Sequence, residues 1–318
     1  MKIVFMGTPV FAVPSLQALA GAGFEMAAVV TQPDRPRGRG KKIQPSPVKE
    51  EALGLGIPVC QPEKVREEGF VKFLRGLQPH MIVVVAFGQI LPAGILDIPP
   101  LGCINVHSSL LPQYRGAAPM QRAIMNGETR TGVTTMLMER GLDSGDILLQ
   151  SSIPIGGEDN FGMVHDRLSK LGAELLLKTV ELLTQGKLTG VPQDHEKATY
   201  APVITRDDEV INWHDRAGDI RNKVRGLNPW PGARTVLGDR VLKIWNATGT
   251  DRSRVPDTGN GGINPPPGSI IGSREGGLAV QCGDYPLVIS EMQMQGGKRL
   301  GAAEFLRGFR IETGLQLG

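Results

Sequence analysis

The chain has 318 residues, with 35 basic against 32 acidic side chains, 40% hydrophobic and 21% charged residues. That length suggests two domains with ample material for a buried core, and the composition excludes wholesale disorder. A net charge of +3 does not by itself point to a nucleic-acid partner. The longest apolar run, Met81 to Phe87, falls far short of the ~20 residues of a membrane-crossing helix.

The N-terminus enters a strand-like segment at once, Ile3-Val4-Phe5-Met6, so a secretory leader is not expected. Gly7-Thr8-Pro9 is a turn, and Val10, Val13, Leu16 and Leu19 follow at helical spacing, weakened by Pro14. Strands are predicted at Met26 to Thr31, Met81 to Phe87, Cys103 to His107, Val133 to Met138 and Ile147 to Leu149. A short helix spans Met120 to Met125. A long amphipathic helix runs from Asn160 to Gln185, ended by Gly186. Strands separated by helices imply an α/β fold, a mostly parallel sheet with helices on both faces, over residues 1–188. Thr189 to Ile204 has no clear period, and 189–206 reads as a linker. From 207 to 318, short apolar bursts between turn residues suggest a small β-barrel with no long helix. Gly249 to Gly268 reads as a flexible loop inserted into it.

The chemistry concentrates in a few places. In a strand, Asn105 and His107 project to one side, at the carboxyl edge where open α/β sheets bind ligands. An amide donor beside an imidazole suits acyl transfer, although an isolated pair of this kind commonly does no more than satisfy strand-end hydrogen bonds. Gly141-Leu142-Asp143-Ser144-Gly145-Asp146 makes a tight turn, where Asp143 is either a turn former or an orienting acid. Arg35, Arg37, Arg39, Lys41 and Lys42 form a cationic segment with no apolar anchor. It reads as a mobile surface loop, either simply solvated or able to capture nucleic-acid phosphates and fold on binding. From Arg206 onward, 15 basic residues face 13 acidic ones, so an anionic partner must meet local patches. His80, His165, His195 and His214 have no ligand-like spacing. The three cysteines, Cys60, Cys103 and Cys282, are too sparse for a disulfide framework or a zinc site and fit a reducing cytosol. Gly7-Thr8-Pro9 lacks the G-x-G-x-x-G pattern of a nicotinamide site; Thr8 is expected to help pack strand onto helix or to contact substrate.

These pieces together resemble a known family. Phe5 to Pro9, Thr31 to Arg35, Gly38 to Lys42, Pro45 to Lys49, Asn105-Val106-His107, Ser109-Leu110-Leu111-Pro112, Arg115 to Pro119, Leu142 to Asp146 and Asn228 to Ala233 are similar to the 10-formyltetrahydrofolate-dependent formyltransferases, and among them to the methionyl-tRNA formyltransferases, over essentially the whole chain. The resemblance implies a Rossmann-like domain followed by an oligonucleotide-binding-like barrel. It implies formyl transfer from 10-formyltetrahydrofolate, a co-substrate, to the α-amine of methionine on initiator tRNA, by a cytoplasmic monomer without metal or nicotinamide. By motif match, Asn105, His107 and Asp143 are catalytic. Ser109, Leu110, Leu111 and Pro112 form the folate signature, joined by Phe87, Gln89, Ile90 and Leu91. Arg39 would approach the acceptor stem. Asn105 and His107 would hydrogen-bond the developing oxyanion, while Asp143 would hold His107 and help move the amine proton. Two other readings stay open: formylation of an amino sugar on a nucleotide, and a non-catalytic RNA-binding module, for which 15 aromatics offer a poor stacking platform.

Overall fold

Alternating apolar strands and amphipathic helices build the first half of the chain. The computed structural model describes residues 1–37, 42–249, 265–274, 276–309 and 311–318, and of Arg37 and Lys42 the backbone alone. Arg39, Lys41 and positions 250–264 of the expected loop lie outside the described residues. The first elements are β1 (Lys2–Gly7), a 3-10 turn at Val10–Ala12, α1 (Val13–Gly21), β2 (Glu25–Val30), β3 (Arg35–Arg37), β4 (Lys42–Gln44) and α2 (Pro47–Gly54). Then come β5 (Val59–Cys60), α3 (Glu68–Leu77), β6 (Met81–Val85), α4 (Ala93–Leu96), β7 (Cys103–His107), α5 (Pro119–Met125), β8 (Arg130–Leu137), β9 (Ile147–Pro154) and α6 (Phe161–Thr184). Beyond them lie α7 (Ala217–Gly226), β10 (Ala233–Leu237), β11 (Arg240–Gly249), β12 (Ile270–Arg274), β13 (Gly277–Gln281), β14 (Pro286–Met294), β15 (Leu300–Gly301) and α8 (Ala302–Gly308).

Seven strands form one sheet in the order β5-β2-β1-β6-β7-β8-β9. Pairing is parallel from β5 to β7 and antiparallel at β7–β8 and β8–β9. Alternation assigns the faces. Val4, Met6, Ile82, Val84 and Cys103 form one buried cluster with Leu74 of α3 and Ile95 of α4. Val106 and Val133 turn to the other face, where α6 crosses closely enough that a Cβ on Gly172 would lie 3.1 Å from Val106. Asn105 and His107 therefore share the side of Cys103. Pro14 falls in the first turn of α1, where no backbone donor is lost. The strand at Ile147 runs further than its apolar start suggests, to Pro154, because Gln150, Ser151 and Ser152 lie on an edge strand.

Packing divides the chain into two units: Met1–Pro119 with Arg130–Pro154 and His165–Ala201, and Met120–Thr129 with Ile155–Val164 and Pro202–Gly318. Residues 189–201, read above as linker, thus pack in the first unit. Isolated bridges Ile147↔Val191 and Arg115↔Tyr200 hold them there. The second unit has an antiparallel sheet ordered β10-β11-β14-β13-β12, with β15 on β14. A ten-residue helix that the short apolar bursts did not predict, α7, contributes Ala217, Ile220 and Val224 to its core, beside Leu242, Ile289 and Phe305. Their spacing of three and four residues is a helical apolar stripe. Among the described residues no ladder joins β10 to β12. The C-terminal residues reach both edges, at the bridges Leu237↔Leu317 and Ser269↔Gln316 and through hydrogen bonds from the Ile270 amide to the Leu315 carbonyl and from the Gly318 amide to the Val236 carbonyl. The described residues of the unit thus form an antiparallel sheet. No helix among the described residues is long and apolar enough to cross a membrane.

Candidate active site

The carboxyl ends of β1, β6 and β7 lie side by side, with Gly7 opposite Val85 and Val84 opposite Asn105. Beyond β6 the chain turns through Ala86 (φ 47°) and Gly88 (φ 88°). The Phe87 carbonyl there accepts the Thr8 hydroxyl at 2.9 Å and the Gln32 amide at 3.3 Å. Thr8 is thereby a packing residue that ties β1 to the loop after β6.

His107 ends β7 and is 6% exposed. Its Nε2 lies 3.0 Å from the Tyr114 carbonyl oxygen. A carbonyl only accepts, so Nε2 carries a proton. Nδ1 then faces Asp143 Oδ2 at 3.7 Å, beyond hydrogen-bond distance. Nε2 is thus committed to the Tyr114 carbonyl, while Nδ1 makes no hydrogen bond to a described residue. The half-buried Asn105 points to the same side, and its amide makes no hydrogen bond to another described residue. It is the free donor of the site.

Asp143 adopts a left-handed backbone (φ 49°), and its Oδ2 accepts the Gly116 amide at 2.8 Å. Gly116 is required there. Its φ is +120°, and a Cβ would meet the Ala201 carbonyl oxygen at 2.7 Å. The intervening Arg115 is 3% exposed. Its guanidinium donates to Gln193 Oε1 at 2.7 and 3.2 Å and lies 3.3 Å from His195 Nδ1.

The Ser109–Pro112 turn is held from below. Thr134, opposite His107 in the β7–β8 ladder, donates to the Ser109 carbonyl at 2.7 Å and accepts the Leu111 amide at 3.1 Å. Gln150 donates to the Leu111 carbonyl at 2.8 Å and to Thr134 Oγ1 at 2.9 Å. Ser109 Oγ closes the turn on the Gln113 carbonyl at 2.6 Å, and the Leu111–Pro112 bond is cis. Leu111, Phe87 and Leu91 are buried and Leu110 is half-buried. Gln89 accepts the Val65 amide at 3.0 Å, so its side chain serves the fold. Ile90, 88% exposed, is the apolar side chain of this group that is open to a ligand.

Arg35 is exposed on β3, which pairs with β4 in a two-stranded hairpin that aligns Arg37 with Lys42. The described ends of the segment thus pair as short strands, where its composition suggested a loop. Its base is fastened by Asp34, whose carboxylate meets Lys49 Nζ at 2.6 Å and Gln61 Nε2 at 2.7 Å. Those two hydrogen bonds, to Lys49 first, hold the carboxyl below its usual range. Burial pushes the Cys103 and Cys282 thiols up to about 12, which leaves them inert as nucleophiles. Among the described residues no cluster of His, Cys, Asp or Glu is arranged to hold a metal ion.

Thr134, Gln150 and Gln193 escaped the sequence reading. They stand outside every recognised motif, and only the buried, bonded positions of their side chains reveal a role.

A family model described as formyl transferase matches residues 1–180, and one described as formyl transferase, C-terminal domain, matches residues 203–310. The methionyl-tRNA formyltransferase of Pelotomaculum thermopropionicum is 50% identical over 318 residues, covering 100% of this chain and 99% of that protein. The enzyme of the same name from Pelobacter propionicus is 52% identical over 317 residues, with 100% and 96% covered. In fold, the chain is similar to WlaRD, a sugar 3N-formyl transferase solved in the presence of dTDP and 5-N-formyl-THF, with a TM-score of 0.64, 20% identity and coverage of 91% and 97%. With both domain models matched and half its residues identical to these relatives from end to end, the chain belongs to the methionyl-tRNA formyltransferases, enzymes of formyl transfer.

Proposed function

We propose that this edge of the sheet transfers the formyl group of 10-formyltetrahydrofolate to the α-amine of methionine on initiator tRNA, in the cytosol, with Asn105, His107 and Asp143 as its catalytic residues. The observation that carries the reading is the convergence of the free Asn105 amide with the His107–Asp143 pair at one strand end. Bound 10-formyltetrahydrofolate would supply a formyl group attached to a nitrogen that can leave. Transfer of that group asks three things of the protein: a donor at the carbonyl oxygen as it gains charge, an acceptor for the amine proton, and return of a proton to the departing nitrogen.

Asn105 Nδ2 is the donor, and a preorganised donor of this kind is worth roughly 3–4 kcal/mol in the transition state. Asp143 Oδ2, which faces His107 Nδ1, takes the proton as the amine nitrogen bonds to carbon. It releases the proton to the leaving nitrogen as that bond breaks. The turn at Ser109–Pro112 and exposed Ile90 would line the folate site, mostly through backbone groups because most of the side chains there are committed to the fold. The exposed Arg35 and the rest of the Arg35–Lys42 segment would meet tRNA phosphates. The antiparallel sheet of the second unit, bridged at both edges by the C-terminal residues, supports reading it as a near-barrel of the oligonucleotide-binding kind.

The test is formylmethionine formation from charged initiator tRNA and 10-formyltetrahydrofolate. Asn105→Ala should lower turnover by roughly 10²–10³-fold without altering the unfolding transition. A native rate for that variant would refute the assignment. An amino-sugar nucleotide, supplied in a parallel reaction, should remain unformylated.

A further inference from the structure

We infer that Gln193 is a positioning residue for formyl transfer, acting by locking the turn that carries Asp143 to the loop that carries Gly116. The inference rests on the catalytic reading of Asp143 given above. Gln193 is 6% exposed, and every hydrogen-bonding site of its amide group is used. The oxygen accepts Arg115 Nη2 at 2.7 Å and Nε at 3.2 Å. The nitrogen donates to the Asp143 carbonyl at 2.8 Å and the Gly145 carbonyl at 2.7 Å. This set admits one orientation. Rotating the amide by half a turn would press its N–H groups on a guanidinium and its oxygen on two carbonyls, with nothing paired.

The bonds close a ring. Asp143 Oδ2 accepts the Gly116 amide, Gly116 follows Arg115, and Arg115 reaches Gln193, which returns to the backbone of Asp143. Tyr114, on the other side of Arg115, holds His107 Nε2 through its carbonyl. Arg115 is fastened further by its amide to the Thr199 carbonyl at 2.8 Å and by its carbonyl to the Ala201 amide at 2.7 Å. Both catalytic side chains thus take their bearings from one three-residue loop. Asp143 reaches that loop with its carboxylate and, through Gln193, with its backbone. A left-handed aspartate is costly to hold. Two donated hydrogen bonds from a buried amide supply that constraint, and they decide where Oδ2 stands relative to Nδ1. Because Gln193 is buried and its amide is bonded wholly to protein groups, its effect is expected in turnover and not in substrate affinity.

The variant Gln193→Glu tests this directly. Its carboxylate keeps an acceptor for Arg115 but sets an oxygen against the Asp143 and Gly145 carbonyls, which opens the ring on the Asp143 side. Turnover should fall 10-fold or more, with KM for Met-tRNA and for the formyl donor within about threefold of native. Asp143→Asn should be slow on its own, and adding Gln193→Glu to it should cost little more, because the carboxylate that Gln193 positions is already gone. Should Gln193→Glu fail to fold, the nearly isosteric Gln193→Met, assayed alone and with Asp143→Asn, carries the same comparison. Native turnover of the Gln193 variants beside a slow Asp143→Asn overturns the inference alone. Full multiplication of the two losses also overturns it, since that would be a structural effect unrelated to Asp143. A native rate for Asp143→Asn overturns the catalytic reading and the inference with it.

Discussion

Three of the four non-glycine residues with positive φ among the described residues, Ala86, Tyr114 and Asp143, sit around the candidate site. Each costs on the order of 1–3 kcal/mol and persists only where neighbours over-determine it. The neighbours are identifiable: Thr8 and Gln32 on the Phe87 carbonyl, His107 on the Tyr114 carbonyl, Gln193 on the Asp143 carbonyl. Thr134 plays the same part beneath the Ser109–Pro112 turn and is fully buried. Replacing it by valine keeps the shape and deletes the hydroxyl. The Ser109 carbonyl and Leu111 amide then lose a partner they cannot replace with water. At roughly 1–3 kcal/mol for each stranded group, Thr134→Val should destabilise the fold by about 2–4 kcal/mol, read as a lower denaturant midpoint. It should also raise KM for the formyl donor more than KM for tRNA. An unchanged midpoint would show that the turn does not depend on this hydroxyl.

The β3–β4 hairpin gathers cations on an element too small to be stable by itself. Its order comes from its base. Thr31 Oγ1 bonds Ser46 Oγ at 2.7 Å, Ser46 caps α2 by accepting the Lys49 amide at 3.1 Å, and Lys49 returns to Asp34. One helix start therefore anchors both legs. A hairpin with Arg35 exposed and Arg37 opposite Lys42 can offer charge to a phosphate backbone at little ordering cost. Each phosphate contact releases about one counterion, so the joint change Arg35→Ala, Lys42→Ala should weaken tRNA binding. It should also flatten the dependence of log affinity on log salt by roughly 2. Binding of the formyl donor should be untouched. A salt slope equal to that of the native protein would remove these residues from the tRNA contact.

At the scale of the whole molecule, two cores are built by different means. The first is sheet against helices, the second an antiparallel sheet against α7 and α8. Within the second unit, Arg122 of α5 grips Asp208 with two bonds of 2.6 and 2.8 Å and also donates to the Pro202 and Val203 carbonyls. The Arg122 hydrogen bonds, chiefly, lower the Asp208 carboxyl from 3.8 to about 2. A carboxyl lowered on folding stabilises the folded state above its unfolded pKa, and that stability drains away as pH falls through the folded value. The window is thus from pH ~4 down to ~2, and the contribution at neutral pH is at most about 2 kcal/mol. Unfolding midpoints measured across that window should fall less steeply for Asp208→Asn than for the native chain. Parallel curves would mean that the pair contributes nothing to acid stability.

The opening run β1, α1, β2, the apolar strands β6 and β7 and the placing of Asn105 and His107 on one face were all legible in the chain, because they depend on short-range periodicity and on strand parity. The Ser46 cap of α2 and the 217, 220, 224 stripe of α7 were equally local signals and were passed over as turn or loop. Other features had no local signature at all. The packing of residues 189–201 beside the site, the capture of His107 Nε2 by Tyr114 and the closure of Asp143 through Gln193 each join positions between 7 and about 80 residues apart. A buried glutamine is indistinguishable in a sequence from one in solvent. Only folding brings its four partners within reach, and only then does removal from water make each bond mandatory.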